Sequence, residues 1–221
     1  MGTIKTHADR PGRIFTLLKK AYPHAKIALN YSDNWQLLVA VILSAQCTDK
    51  RVNIVTRDLF KKYKTIQDYT TVPQSEFEQV IRSTGFFRNK ATNIISAARI
   101  ILEQHNGTVP KTMKEMLTIP GVARKTANVV LGNAYGVVEG IAVDTHVKRL
   151  SQRLGLTNHT DPDKIEQDLM RQFPKKDWFD LTYLFIEHGR SVCDAKKPLC
   201  NSCMLKKICP SAFKFPRFKN I

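Results

Sequence analysis

Acidic side chains are scarce. The 221 residues hold 19 Asp and Glu against 35 Lys and Arg, a formal net charge of +16 at pH 7. That deficit excludes a polycationic partner and points to a polyanion, because each phosphate a cation contacts also releases counterions. The alternative is a basic surface kept for solubility. Long apolar runs are missing as well. The best, Leu37 to Leu43 with Trp35 and Ala45 at its margins, is too short to span a bilayer. The first residues lack the apolar stretch of a secretory signal. A soluble, intracellular protein is expected, cytoplasmic and nucleoid-associated if its source is prokaryotic. Cysteine is limited to five residues, an odd number with four of them bunched, which excludes a framework of dispersed disulfides. Cys47 stands apart and reads as a small buried or half-buried thiol. Internal repeats and low-complexity tracts are absent, so neither a solenoid nor a disordered chain is in view. Strand signals are thin, since Val137-Val138 and Ile141-Ala142-Val143 are separated by Gly140.

What remains is helical periodicity nearly throughout. Residues 35–46 are apolar on almost every face, as in a helix buried at the centre of an all-α core. Segments 50–63 and 75–83 are amphipathic, the second opening on Ser75 and Glu78 at capping-box spacing. A helix over 88–105 follows the Gly85 break and ends before Asn106-Gly107 and Pro110. Further helices are expected over 112–117, 124–134, 144–154, 163–172 and 178–189. The fold class is all-α, with a small metal-binding lobe near the C-terminal end.

Three local patterns carry chemistry. Cys193, Cys200, Cys203 and Cys209 form a C-x₆-C-x₂-C-x₅-C clip in which four thiolates can surround one metal centre, and spacing alone permits zinc or an iron–sulfur cluster. Ile119-Pro120-Gly121-Val122-Ala123 between two helices reads as a helix-hairpin-helix. Gly121 permits a tight turn, and Ala123 and Arg124 open a second helix whose N–H groups and positive dipole end suit a phosphate. Lys125 lies in the first turn of that helix, where the dipole, and burial in the same sense, lower an ammonium pKa. Such an amine can attack C1′ of a deoxynucleotide and form a Schiff base on base loss. The ordinary alternative is a phosphate contact. Asp144, in Val143-Asp144-Thr145-His146, caps a helix and stays ionised. The same carboxylate can stabilise an oxocarbenium-like centre or help deprotonate the amine. His146 reads as a structural residue or a phosphate contact rather than a catalyst.

The hairpin from Ile119 to Asn128, the Val143–Val147 segment and the cysteine clip, in that order, resemble the endonuclease III family of helix-hairpin-helix DNA glycosylases. The likeness runs from about residue 10 to 209 and includes Leu43-Ser44-Ala45-Gln46 and His188-Gly189-Arg190. It implies a helix-hairpin-helix DNA glycosylase fold: a six-helix barrel domain over 25–138, with its hairpin at about 112–130, and an iron–sulfur lobe from 1–24 and 139–221. It implies a [4Fe–4S] cluster rather than zinc, Lys125 as nucleophile and Asp144 as assisting carboxylate. The substrate implied is duplex DNA bearing an oxidised or ring-saturated pyrimidine or an abasic site, handled by a monomer. Relatives that act on mismatches without cutting lack a lysine at this position. The chain departs from the family pattern in ending its hairpin Gly121-Val122-Ala123 rather than Gly-Val-Gly, which would strain Ala123 if that position took a positive φ. The loop from Ala134 to Gly140 is also about one residue longer than usual.

Base excision in a duplex requires the nucleotide to leave the stack. By family position Gln46 fills the gap and Phe86 wedges the stack. Core packing is the alternative for at least one of Phe86 and Phe87. Lys196, Lys197, Lys206 and Lys207 make the metal loop a basic ribbon facing phosphates. Two other readings compete with the bifunctional one. A monofunctional mismatch glycosylase would release a base without cutting, and a non-catalytic DNA-binding module would bind without turnover.

Overall fold

A computed structural model describes residues 10–218, and all their regular structure is helical, with no strand among the described residues. The first nine residues and the last three, which the sequence assigns to the metal lobe, lie outside the described residues. The chain divides into two compact units, Ile27–Glu139 and the two end segments Met1–Lys26 and Gly140–Ile221. No helix among the described residues is long and apolar enough to cross a membrane.

The central unit is organised on α2 (Asn34–Leu43), which buries Trp35 and every residue from Leu37 to Leu43. Asp33 starts it by accepting from the Gln36 N–H at 2.8 Å. A helix apolar on all faces must be enclosed, and α3 (Asp49–Lys62), α6 (Phe87–Gln104) and α8 (Arg124–Tyr135) pack around it. Leu37, Leu38 and Leu43 are fully buried, each contributing about 1.5–3 kcal/mol. The helix stops at Leu43 with Ser44 as its C-cap, three residues short of the expected end. Gln46 takes a left-handed φ of 52° and cannot continue it.

Two short helices, α4 (Ile66–Thr71) and α5 (Gln74–Ile81), lie against α6. The capping box belongs to α4, where Thr65 and Asp68 cap each other. Ser75 and Glu78 form none, because α5 begins at Gln74 behind Pro73 and places Ser75 inside its first turn. Tyr69 anchors this corner, edge-on to Trp35 and Phe77 at centroid distances of 5.1 and 5.6 Å.

The other unit packs α11 (Trp178–Ser191) against α1 (Arg10–Ala21) and α9 (Thr145–Arg153), with α10 (Pro162–Gln172) against α9. Ile14 and Leu18 of α1 join Val147, Leu150, Ile165, Leu169, Leu181 and Phe185 in its core. Beyond α11 the chain forms the cysteine loop, whose regular elements are the short 3₁₀ turns Cys200–Ser202 and Pro216–Phe218.

Candidate active site

The hairpin starts from α7 (Met113–Met116), capped by Thr112, whose hydroxyl accepts from the Glu115 N–H. Ile119 and Val122 are buried and pin the turn, and the Val122 N–H donates to the Ile119 carbonyl at 3.1 Å. Gly121 has φ +80°, and a Cβ there would sit 3.0 Å from Cβ of Asn93 on α6. Both the conformation and the close approach require glycine. Ala123 is extended, with φ −93° and ψ 171°, as the N-cap of α8. The positive φ of this hairpin falls on Gly121, so Ala123 is unstrained.

An alanine N-cap offers no side-chain acceptor, so it leaves first-turn N–H groups of α8 without a side-chain cap. Arg124 and Lys125 stand in that turn. Lys125 is exposed, because the hairpin holds the start of α8 at the surface of its unit.

Asp144 is half-buried and caps α9 behind the buried Ile141-Ala142-Val143 segment. Its Oδ1 accepts from the N–H groups of His146 and Val147, both at 2.8 Å. Capping therefore falls on one oxygen and leaves Oδ2 to other duties. Nδ1 of His146 lies 3.1 Å from Nη2 of Arg149, which also donates to the Gly189 carbonyl at 2.9 Å. A Cβ on Gly189 would come within 2.7 Å of that His146 nitrogen. The Gly189 position is thus closed to larger residues.

Two arginines of α9 fasten the cysteine loop, which the sequence pattern did not announce. Arg149 Nε donates to the Cys193 carbonyl at 3.2 Å. Arg153 donates to the Asp194 and Ala195 carbonyls at 2.7 Å each and to Cys193 Sγ at 3.2 Å. Its guanidinium also stacks over Phe215, 4.5 Å from the ring centroid. Asp194 Oδ1 accepts from the Lys196 and Lys197 N–H groups at 2.8 Å, turning the loop, while Lys206 Nζ donates to the Asn201 carbonyl at 2.7 Å. Lys196, Lys197, Lys206 and Lys207 are all exposed.

Cys193, Cys200, Cys203 and Cys209 line one pocket and are free thiols. Among the described residues no three His, Cys, Asp or Glu side chains converge on a single metal ion. Burial pushes the Cys203 thiol up to about 11, with Cys193, Cys209 and Cys200 acting in the same direction. Thiolates gathered this way repel one another unless a cationic centre lies between them. The Leu205 N–H points at Cys203 Sγ from 3.4 Å, as a donor to a ligating sulfur would.

Gln46 and Phe86 belong to the central unit, each just beyond a helix end or start. Both are exposed, Phe86 to 62%. Phe87 is half-buried against the core cluster. Lys125 and its hairpin belong to the central unit, and Asp144, His146 and the cysteines belong to the other.

The profile of HhH-GPD superfamily base excision DNA repair proteins matches residues 39–175. Endonuclease III of Synechocystis sp. is 56% identical over 204 residues, covering 92% of this chain and 93% of that protein. A solved non-covalent endonuclease III–DNA complex superposes with TM-score 0.90 at 43% identity, covering 95% of this chain and 98% of the other. A trapped endonuclease III–DNA covalent intermediate gives TM-score 0.90 at 43% identity, covering 95% and 99%. On the matched domain, the identity across nearly the whole chain and the shared fold, this chain belongs to the endonuclease III family of helix-hairpin-helix base-excision DNA repair proteins.

Proposed function

We propose that this protein is a bifunctional base-excision enzyme: it releases oxidised or ring-saturated pyrimidines from duplex DNA and then cleaves the abasic strand by β-elimination. The observation that carries the reading is an exposed lysine in the first turn of the hairpin's second helix. It stands in a family one of whose members has been trapped covalently on DNA.

The Lys125 amine, deprotonated, attacks C1′ of the extruded nucleotide. The C1′–N bond breaks and the base leaves with its electron pair, taking up a proton. The sugar ring opens at O4′ as a protonated imine forms between C1′ and Nζ. Loss of a 2′ proton then expels the 3′ phosphate, and water hydrolyses the imine to return the lysine. Asp144, whose Oδ1 accepts from two backbone N–H groups, stabilises positive charge developing on the sugar and assists deprotonation of the amine. The hairpin, with Gly121, Ala123 and Arg124, holds the backbone phosphates, and His146 serves as a further phosphate contact or a structural support for α9.

Gln46 fills the vacated space and Phe86 wedges the stack, the two tasks that extrusion requires. Cys193, Cys200, Cys203 and Cys209 are the ligands of a [4Fe–4S] cluster. All four line one pocket, and four thiolates are the ligand set of that group. When bound, the cluster supplies the positive centre that orders the loop and presents its lysines to DNA.

Borohydride trapping on duplex DNA with one abasic site tests the chemistry. Wild-type protein is expected to give a covalent adduct and a nicked strand, and Lys125→Ala to give neither while still binding. An adduct of undiminished yield in Lys125→Ala would overturn Lys125 as the nucleophile.

A further inference from the structure

Among the described residues of this basic protein, one lysine is buried. Lys90, in the first turn of α6, is only 5% exposed. It lies on the apolar stripe of that helix, one, two and three turns from the fully buried Ile94, Ala97 and Ile101. Its Nζ donates to the main-chain carbonyl of Leu43 at 2.8 Å and to that of Thr84 at 2.8 Å. It has no carboxylate partner among the described residues. Burial drives its pKa down. Placing an ammonium in such a site is costly, and apolar replacements of buried charges are often neutral or stabilising. A core of this kind gains little from the charge, so what the two bonds connect is the informative point.

Leu43 is the last residue of α2, where carbonyls lack helical partners and the dipole is negative. Gln46 follows three residues later. Thr84 ends the 3₁₀ turn Arg82–Thr84, and Phe86 follows two residues later. The main-chain N–H of Lys90 also donates to the Phe86 carbonyl at 3.1 Å. One side chain and its own backbone therefore tether both exposed turns. Gln46 and Phe86 are two of only four non-glycine residues with positive φ among the described residues, at 52° and 48°. Such conformations cost about 1–3 kcal/mol each and persist where surrounding structure imposes them.

We propose that Lys90 is a positioning residue for base extrusion: it fixes the spacing of the Gln46 and Phe86 turns so that both side chains enter the same step of the duplex. The inference rests on the reading of Gln46 and Phe86 as the filling and wedging residues. It assigns Lys90 no contact with DNA. The ammonium satisfies orphaned carbonyls at the base of both turns, and the turns carry the strain on their outer side.

The test uses the full-length protein and a duplex in which 2-aminopurine faces an uncleavable tetrahydrofuran abasic analogue. Fluorescence at saturating protein reports unstacking without any chemistry. Lys90→Met keeps the volume and removes both donors, and it is expected to lower the extruded fraction about tenfold, the scale of one lost charge-assisted tether. Lys90→Arg retains charge and donors and is expected to recover most of the signal. Trapping on a single-stranded abasic oligonucleotide, which needs no extrusion, should fall far less than the fluorescence does. Thermal melting of each variant separates misfolding from mispositioning, and a Lys90→Met protein too unstable to assay leaves Lys90→Arg and Lys90→Gln to grade extrusion by donor number. Wild-type extrusion in Lys90→Met would overturn the proposal, as would parallel loss of extrusion and single-strand trapping. If Gln46→Ala and Phe86→Ala both extrude as wild type does, the underlying reading of those two residues fails and Lys90 has nothing to position. If they fail to extrude while Lys90→Met succeeds, only the Lys90 proposal falls.

Discussion

At Asp144 both capping bonds land on Oδ1, and an asparagine offers the same acceptor without the charge. Asp144→Asn should therefore keep the melting temperature near wild type while lowering base release about 100-fold, the range of a lost general base or charge stabiliser. Asp144→Ala should lose activity and, with the cap gone, about 1 kcal/mol of stability as well. Equal destabilisation by both substitutions, with activity following stability, would leave Asp144 a cap and nothing more. The residue types at these positions were legible from their motifs, but their surroundings were not. The motif left open whether Lys125 is buried, and the residue is exposed, since a helix start can face inward or outward with the same sequence. Strain at Ala123 was conditional on a positive φ, and the backbone puts that φ on Gly121. Lys90 did leave a signal, a lysine on the stripe of Ile94, Ala97 and Ile101, yet periodicity cannot say which carbonyls a buried ammonium will find.

Among the elements, long periodic helices were the most legible. The apolar run of α2 and the Gly85 and Asn106-Gly107 boundaries of α6 came within a few residues of the observed ends. Two helices, α1 and α4, escaped notice: the six residues of α4 give too few turns for clear periodicity, while α1, as long as α8, was simply not assigned. The capping box was assigned to Ser75 and Glu78, but Pro73 starts α5 earlier and the reciprocal pair forms at Thr65 and Asp68. The tie between α10 and the preceding loop was not legible either, since it depends on tertiary contact. There Asp168 accepts from the Thr157 hydroxyl at 2.5 Å and pairs with Arg171. The Thr157 bond, followed by the Arg171 bond, holds the Asp168 carboxyl below its ordinary value of 3.8. The unfolded chain then binds more protons than the folded one near that pH. The stabilisation is present above the unfolded value and is lost as pH falls through the folded one. Melting curves across the acid range should show wild type ahead of Asp168→Asn at neutral pH, with the gap narrowing as the pH falls below the ordinary carboxyl value of 3.8. A gap that is constant with pH would mean that the carboxylate charge contributes nothing.

Over the whole molecule the excess of 35 basic over 19 acidic residues gives a field that draws DNA without reading its sequence. The four loop lysines sample this field unequally. Lys196 and Lys197 have their main-chain N–H groups held by Asp194 while their side chains are exposed. Lys207 is exposed as well, but Lys206 already spends its ammonium on the Asn201 carbonyl. Each lysine that neutralises a phosphate adds about −0.9 to the slope of log affinity against log salt. Binding of an undamaged duplex between about 50 and 200 mM salt should therefore follow a slope that Lys196→Gln, Lys197→Gln and Lys207→Gln each make shallower by about 0.9. Lys206→Gln should change the slope less than any of these and should instead lower thermal stability, because its loss frees a loop carbonyl. Should all four variants keep the wild-type slope, the loop faces away from DNA, and the hairpin with the first turn of α8 would carry the electrostatic attraction. Should Lys206→Gln shift the slope as much as Lys197→Gln, the Asn201 contact gives way on binding and the loop reorganises around phosphate.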